Sequence, residues 1–365
     1  MYSLTLEINQ KCNLSCIYCY LGEKDKSEMP LETATKSIDL AFNNTKIHRD
    51  KKIWIDFIGG EPLLDFGYIK ALVDYIGKLN KEYNYNLIFS MTTNGTIMND
   101  EILDWIIKND FLLKVSIDGK KEINDLNRIA KNGESVFEQI QKNWHYFKEY
   151  ENRSNKKVQV TNVITKNNYM HYFETFRFLI NEMKICVIDT AIDLYTNWTL
   201  EEWEVIEQEI RKSFSYYIEI LSKNPGLYWS FIRTVLECKT DKKKFYSCGA
   251  GLVSLYVRTT GEFYTCPTCL DGRACIGNIC DGFNAEKVNL LKNFNGIDNN
   301  KCQKCDFYKS CKANGCAMFS IFSNNDINRP NRTLCWLEIF KHKLYDENQK
   351  VIGMIQGYSV KESRG

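Results

Sequence analysis

The sequence lacks the features that mark membrane, secreted and nucleic-acid-binding proteins. No apolar run approaches the ~20 residues that a membrane-spanning helix needs. The first residues alternate as a strand does, without the charged head and apolar block of a signal peptide. The formal net charge is only +2, which gives no reason to expect a polyanionic partner. We therefore expect the protein to bind neither nucleic acid nor a membrane.

Cysteine is the residue that stands out, with 15 copies in a chain of 365. In a small secreted protein this count would suggest disulfides. Here the chain is long, has no export signal, and groups its cysteines in C-x-x-C clusters. These facts favour metal clusters in a reducing compartment, and we expect a cytoplasmic location.

Strand and helix patterns alternate over the first 235 residues. Strands are expected at residues 4–8, 53–58, 87–91, 112–116, 158–164 and 185–192. Helical periodicity is found at residues 32–42, 68–79, 101–108, 136–147, 169–181 and 201–221. Strand–helix units in series predict an α/β fold, with a parallel sheet and the helices outside it.

The amino-acid composition of the chain changes after this region. Residues 248–335 hold ten cysteines, several glycines and only short strand patterns. Small loop-rich regions of this kind need metal ions or clusters to fold. We expect one domain over residues 1–235, a cysteine-rich domain over 236–345, and a surface tail over 346–365.

Cys12, Cys16 and Cys19 follow the first predicted strand with C-x3-C-x2-C spacing. Three thiolates are soft ligands, which select iron–sulfur clusters, zinc or Cu(I). A [4Fe–4S] cluster has four irons, so three ligands leave one iron open to an outside molecule. The alternative is three buried or zinc-binding cysteines.

With Tyr18 before its last cysteine, this segment resembles the radical S-adenosylmethionine (SAM) superfamily. The resemblance implies a partial (β/α)6 barrel of the TIM type, with chemistry at the carboxyl ends of the strands. It also implies that Cys12, Cys16 and Cys19 bind a catalytic [4Fe–4S] cluster whose open iron takes the amino and carboxylate groups of SAM. Reductive cleavage of SAM would then yield a 5′-deoxyadenosyl radical that abstracts hydrogen from a substrate.

The resemblance assigns further SAM contacts to segments that follow the next predicted strands. These are Gly59, Gly60 and Glu61 of a GGEP motif for the amino group, Thr93 and Asn94 for the ribose, Ser116 and Arg128 for the carboxylate, and Asn162 for another polar contact. An Arg can hold a carboxylate with two parallel hydrogen bonds. The alternative for Arg128 is a solvated residue on a helix surface.

The later cysteines resemble a SPASM domain, which carries two auxiliary [4Fe–4S] clusters. The resemblance assigns Cys302, Cys305, Cys311 and Cys335 to the distal cluster, and Cys248, Cys266 and Cys316 to the proximal one. The gap before Cys316 is four residues where the family has three. A fourth proximal ligand would be Cys269, Cys275 or Cys280, or the site is open. The turn at 277–279 favours the first two. A zinc ribbon built from residues 266, 269, 302 and 305 is the alternative.

Enzymes of this type include peptide maturases and anaerobic sulfatase maturases. Sulfatase maturases place an Asp, acting as a base, directly after the cysteine that matches Cys266, whereas this chain has Pro267. We therefore expect a peptide maturase that forms a cross-link such as a thioether, with a formylglycine-forming enzyme as the alternative. Expected partners are a precursor peptide and an electron donor such as flavodoxin or ferredoxin. Because the chain opens at the first barrel strand, we expect either that a separate protein binds the leader or that the substrate docks on the barrel.

Overall fold

The structure is a computed structural model and describes residues 1–22, 27–241, 244–353 and 355. Among these residues, no helix is both long and apolar enough to cross a membrane. The strands are β1 Tyr2–Asn9, β2 Lys52–Gly59, β3 Asn86–Thr93, β4 Leu112–Ser116, β5 Gln159–Ile164, β6 Val187–Ile192, β7 Tyr228–Trp229, β8 Ser254–Val257, β9 Glu262–Tyr264, β10 Cys275–Asn278 and β11 Gly282–Phe283.

The α-helices alternate with these strands over most of the chain. They are α1 Leu31–Thr45, α2 Phe66–Tyr83, α3 Asp100–Lys108, α4 Lys121–Asn127, α5 Val136–Ser154, α6 Tyr172–Asn181, α7 Leu200–Leu221, α8 Ser230–Leu236, α9 Ala285–Asn293, α10 Asn300–Gln303, α11 Ala317–Asn324 and α12 Arg332–Glu347. Side-chain caps define several helix starts, including a capping box between Thr199 and Glu202 at α7. The α/β class and the six strands predicted from the sequence are confirmed.

The described chain divides into two compact units, each built from separate segments. The first contains Met1–Ile117, Arg128–Val158 and Cys248–Phe294, and the second contains Asp118–Asn127, Gln159–Ser247 and the chain from Asn295 onward. The domain bounds expected from the sequence stay a prediction. The expected tail over residues 346–365 begins inside α12, and its residues 356–365 lie outside the described residues.

In the first unit, β1 to β4 run parallel and pair in chain order. On the other side of β1, β8 pairs with it in parallel, and the short strands β9, β10 and β11 continue antiparallel. In the second unit, β5, β6 and β7 form a parallel set in that order.

The two faces of the first sheet differ in polarity. One face of β1 and β2 carries fully buried apolar side chains, such as Leu4, Leu6 and Ile55. The opposite face carries polar ones, such as Thr5 and Asp56, because successive side chains alternate across a strand. The polar face is therefore available for a ligand, while the apolar face supplies the core.

Candidate active site

A cavity of about 390 Å³ lies in the first unit, at the carboxyl ends of β1 to β4. Most of the residues that the sequence assigns to SAM and its cluster line this cavity. They are Cys12, Cys16, Tyr18, Cys19, Gly59, Gly60, Glu61, Thr93, Asn94, Ser116 and Arg128. Their chain positions span more than a hundred residues, so the parallel strand order is what brings them together.

Gly59 and Gly60 allow the end of β2 to approach the segment that leads to Cys12. Gly60 N donates to Asn9 O at 2.9 Å, and Glu61 N donates to Lys11 O at 2.7 Å. A Cβ atom on Gly60 would come within 3.0 Å of the Lys11 carbonyl, and one on Gly59 would do the same at Asn9. No larger residue fits at either position, so the motif positions the cysteine segment as well as opening the cavity wall.

Glu61 is fully buried and bridges the ends of β2 and β3. Its Oε1 accepts from Thr93 Oγ1 at 2.8 Å, and its Oε2 accepts from Asn94 N at 2.7 Å. Burial raises the pKa of the Glu61 carboxyl, and these hydrogen bonds together with the Arg128 cation oppose the rise. The side-chain amide of Asn94 donates through Nδ2 to Asn13 Oδ1 at 2.8 Å, and Asn13 directly follows Cys12.

Arg128 is only 4% exposed, so it is not the solvated surface residue of the alternative interpretation. Its Nη1 donates to the Tyr18 hydroxyl at 2.8 Å, which connects it to the cysteine segment. A buried guanidinium that lines a cavity suits an anionic ligand. The carboxylate of SAM is such a group.

The thiols of Cys12, Cys16 and Cys19 line one cavity. The cysteines of a four-iron cluster each bind a different iron, and three ligands leave one iron open to an outside molecule. The glycine-lined wall and the buried Arg128 fit SAM beside such a cluster.

Asn162 lies on β5 in the second unit and is 2% exposed. Both polar atoms of its amide are buried, and neither has a hydrogen-bond partner within the part of the chain that the structure describes. Buried amides normally find partners, so this side chain is suited to a ligand. Its contact with SAM stays a prediction.

The four cysteines assigned to the distal cluster all belong to the second unit: Cys302, Cys305, Cys311 and Cys335. Burial raises the pKa of the Cys335 thiol, and the nearby Cys302 and Cys305 thiols add to the rise. Three of the four predicted ligands are thus within electrostatic reach of one another. Their role as a cluster site stays a prediction.

The other cysteines are divided between the units. Cys248, Cys266, Cys269, Cys275 and Cys280 belong to the first unit and Cys316 to the second. A hydrogen bond from Cys269 lowers the pKa of the Cys266 thiol to about 6, so these two side chains are adjacent. Cys269 is fully buried, while Cys280 is exposed and within electrostatic reach of Lys36. Cys269 therefore remains a better candidate than Cys280 for the fourth proximal ligand.

The cavity also contains residues that the motifs did not single out. Thr5, Tyr20 and Asp56 line it, and so does Pro267 from the cysteine-rich segment. Asp56 interrupts an otherwise apolar strand, Ile-Trp-Ile-Asp-Phe-Ile, directly before the GGEP motif. That interruption is the sequence feature that could have identified Asp56 as a functional residue, because a carboxylate inside a buried strand needs a specific role.

Comparison with known proteins agrees with this geometry. The model of the radical SAM superfamily matches residues 6–179. An uncharacterized protein of Methanocaldococcus jannaschii, MJ0907, is 33% identical over 80% of this chain and 92% of its own length. A cysteine-type anaerobic sulfatase-maturating enzyme of Clostridium novyi is 25% identical over 91% of each chain.

Two solved structures share the fold. Native anSMEcpe with bound AdoMet and Cp18Cys peptide has a TM-score of 0.76 at 20% identity, covering 97% of this chain and 99% of its own. SuiB of Streptococcus suis, bound to precursor peptide SuiA, has a TM-score of 0.62 at 17% identity, covering 92% and 75%. The expected fold class is confirmed. The cysteine segment, the glycine-lined wall and these relatives together show that the chain belongs to the radical SAM superfamily of enzymes.

Proposed function

We propose that this enzyme modifies a ribosomally made, cysteine-containing peptide and installs a cross-link such as a thioether. The observation that carries the proposal is Pro267, which follows Cys266 and lines the cavity. In sulfatase maturases an Asp at this place acts as a base, and a proline side chain cannot accept a proton. Peptide-bound relatives of the same fold support a peptide substrate.

The family implies a [4Fe–4S] cluster and SAM, which together supply a 5′-deoxyadenosyl radical by reductive cleavage when they are bound. We assign Cys12, Cys16 and Cys19 to the cluster. Arg128 would hold the SAM carboxylate, and the Gly59–Gly60 backbone would accept its amino group. The strands that line the cavity would shield the reacting atoms from water and would hold the substrate hydrogen near the radical carbon, where orientation matters most.

The proposal includes two auxiliary [4Fe–4S] clusters in the cysteine-rich segments. The adjacency of Cys302 and Cys305 to Cys335, and of Cys266 to Cys269, supports it. A protein of the flavodoxin or ferredoxin type would supply the electron for SAM cleavage. A separate leader-binding protein, or docking of the precursor on the barrel, would recruit the peptide.

Formylglycine formation in a sulfatase is the second candidate function. It is favoured by the relatives that are named sulfatase-maturating enzymes, one of them 25% identical over 91% of this chain. Both functions begin with the same radical, so the substrate is what distinguishes them.

The test is to incubate the reconstituted enzyme with SAM, a reductant and a Cys-rich precursor peptide encoded beside its gene. A cross-linked product should weigh two hydrogen atoms less than the peptide for each new bond. A parallel incubation uses a sulfatase-derived peptide with a target Cys or Ser. Conversion of that residue to formylglycine, with the precursor unchanged, would establish the second candidate instead.

A further inference from the structure

The proposed oxidation also releases a proton from a cysteine thiol of the substrate, and a base in the cavity has to accept it. This step is common to thioether formation and to formylglycine formation from a cysteine, and the inference below rests on the proposed function. Pro267 lines the cavity, but its side chain has no group that can accept a proton. Among the described residues that line the cavity, the carboxylates are Glu61 and Asp56.

The Glu61 carboxylate is already engaged in hydrogen bonds that hold the fold together. Both of its oxygens accept hydrogen bonds, from Thr93 Oγ1, from the Leu63 N–H at 3.1 Å and from the Asn94 N–H. It is fully buried at the junction of two strands. A proton on Glu61 would break the contacts that join β2 to β3, so this carboxylate is suited to holding the site together.

Asp56 differs in each of these respects. It is half-buried on the polar face of β2, three residues before Gly59, and it pairs in register with Thr5 of β1 and Ser90 of β3. Its Oδ1 accepts the Ser90 hydroxyl. Within the described part of the chain its Oδ2 has no hydrogen bond, which leaves one carboxylate oxygen available to a bound molecule.

A directed hydrogen-bond chain orients this carboxylate. Trp54 Nε1 donates to Ser90 Oγ at 2.6 Å. An indole N–H can only donate, so the single hydroxyl proton of Ser90 is left for Asp56. Ser90 is fully buried and acts as a positioning residue, because its hydroxyl holds Oδ1 and so fixes the orientation of the Asp56 carboxylate.

We propose that Asp56 is the base that accepts the proton from the substrate thiol. The cluster and SAM, when bound, would supply the radical that takes a hydrogen atom from a substrate C–H bond. The thiol S–H bond breaks, its proton passes to Asp56 Oδ2, and sulfur forms the new bond to the substrate carbon. The remaining electron would be taken up by an oxidised iron–sulfur cluster, so the peptide loses two hydrogens in all.

Other charged and titratable groups lie near Asp56 or line the same cavity. The Tyr20 hydroxyl, from the cysteine segment, interacts electrostatically with Asp56 and with the buried Glu7 of β1. Lys114 of β4 lies over the Trp54 ring at 5.6 Å. Glu61 and the Arg128 cation line the same cavity. Of the described carboxylates in the cavity wall, Asp56 is the one with an oxygen that makes no hydrogen bond.

The test compares Asp56→Asn with wild type in full, reconstituted chains. 5′-Deoxyadenosine and cross-linked peptide are measured separately across a pH series. We expect SAM cleavage to persist, and cross-linking to slow by about 100-fold or more, the scale of general base catalysis. The acid limb of the cross-linking rate should be lost. The control Asp74→Asn changes an exposed carboxylate on α2 and should leave both products unchanged.

Substitutions of Ser90 provide a second test, because they distinguish a residue that positions Asp56 from one that only supports the fold. Ser90→Ala removes the hydroxyl that orients Asp56, so the ratio of cross-link to 5′-deoxyadenosine should fall while SAM cleavage persists. Ser90→Thr retains a hydroxyl and should restore the wild-type ratio. If Asp56→Asn keeps the wild-type ratio of cross-link to 5′-deoxyadenosine and the wild-type pH profile, Asp56 is not the base.

A spectroscopic measurement decides the assignment independently of the proposed function. Infrared difference spectra of reconstituted wild type and Asp56→Asn, each with and without a bound cysteine-containing peptide, report whether the peptide perturbs the Asp56 carboxylate band. A band that does not change on peptide binding would overturn the inference. Wild type that cleaves SAM but modifies no peptide would overturn the proposed function instead.

Discussion

Replacing Gly60 by alanine tests whether the backbone contact between β2 and the cysteine segment forms the site. The added methyl would meet the Lys11 carbonyl within 3.0 Å, and the obstructing atoms are backbone. Overpacking of this kind costs about 1–3 kcal/mol. The hydrogen bonds from Gly60 N and Glu61 N to Asn9 O and Lys11 O are lengthened as well. We expect Gly60→Ala to lower the free energy of unfolding by about 1–3 kcal/mol, within the same overpacking range.

The same displacement should impair SAM binding, because Lys11 directly precedes the ligand Cys12. Anaerobic urea unfolding of the reconstituted protein measures the first effect, and direct SAM titration of the same protein measures the second. Gly77→Ala is the matched control. Gly77 is inside α2 with open space at its Cβ position, so alanine should stabilise by about 0.5–1 kcal/mol. A Gly60→Ala protein with wild-type stability and SAM affinity would refute the reasoning.

Two further predictions concern the cofactors. Three four-iron clusters would contain roughly twelve irons, and changing Cys12, Cys16 and Cys19 to Ala should remove about four of them. The same change should abolish SAM cleavage. Retained cleavage would exclude these cysteines as the cluster ligands. Arg128→Ala should weaken SAM affinity by about 10- to 150-fold, the equivalent of about 1.5–3 kcal/mol for a charged hydrogen bond, at unchanged iron content. Arg153→Ala, at a side chain 43% exposed, is its control. Equal SAM affinity in the two variants would show that Arg128 does not bind the carboxylate.

The sequence alone determined the parts of this protein that depend on local pattern. Alternating and helical periodicities located β1 to β6 because each element has its own repeat of buried side chains. The parallel order then follows from strand–helix alternation. Short motifs at strand ends, such as Gly59–Glu61 and the Cys12 segment, could be expected to meet because the carboxyl ends of parallel strands share one edge.

Tertiary structure decided what depends on distant pairing and on which face of a strand a residue occupies. The pairing of β8 with β1 joins segments about 250 residues apart, and no local pattern encodes it. That pairing belongs to the same unit in which Pro267 reaches the cavity wall. Asp56 was a lone polar residue in the sequence. It became a candidate base only when the structure paired it with Ser90 and placed it in the wall of the cavity that the cysteines also line, because a carboxylate's chemistry depends on which groups surround it.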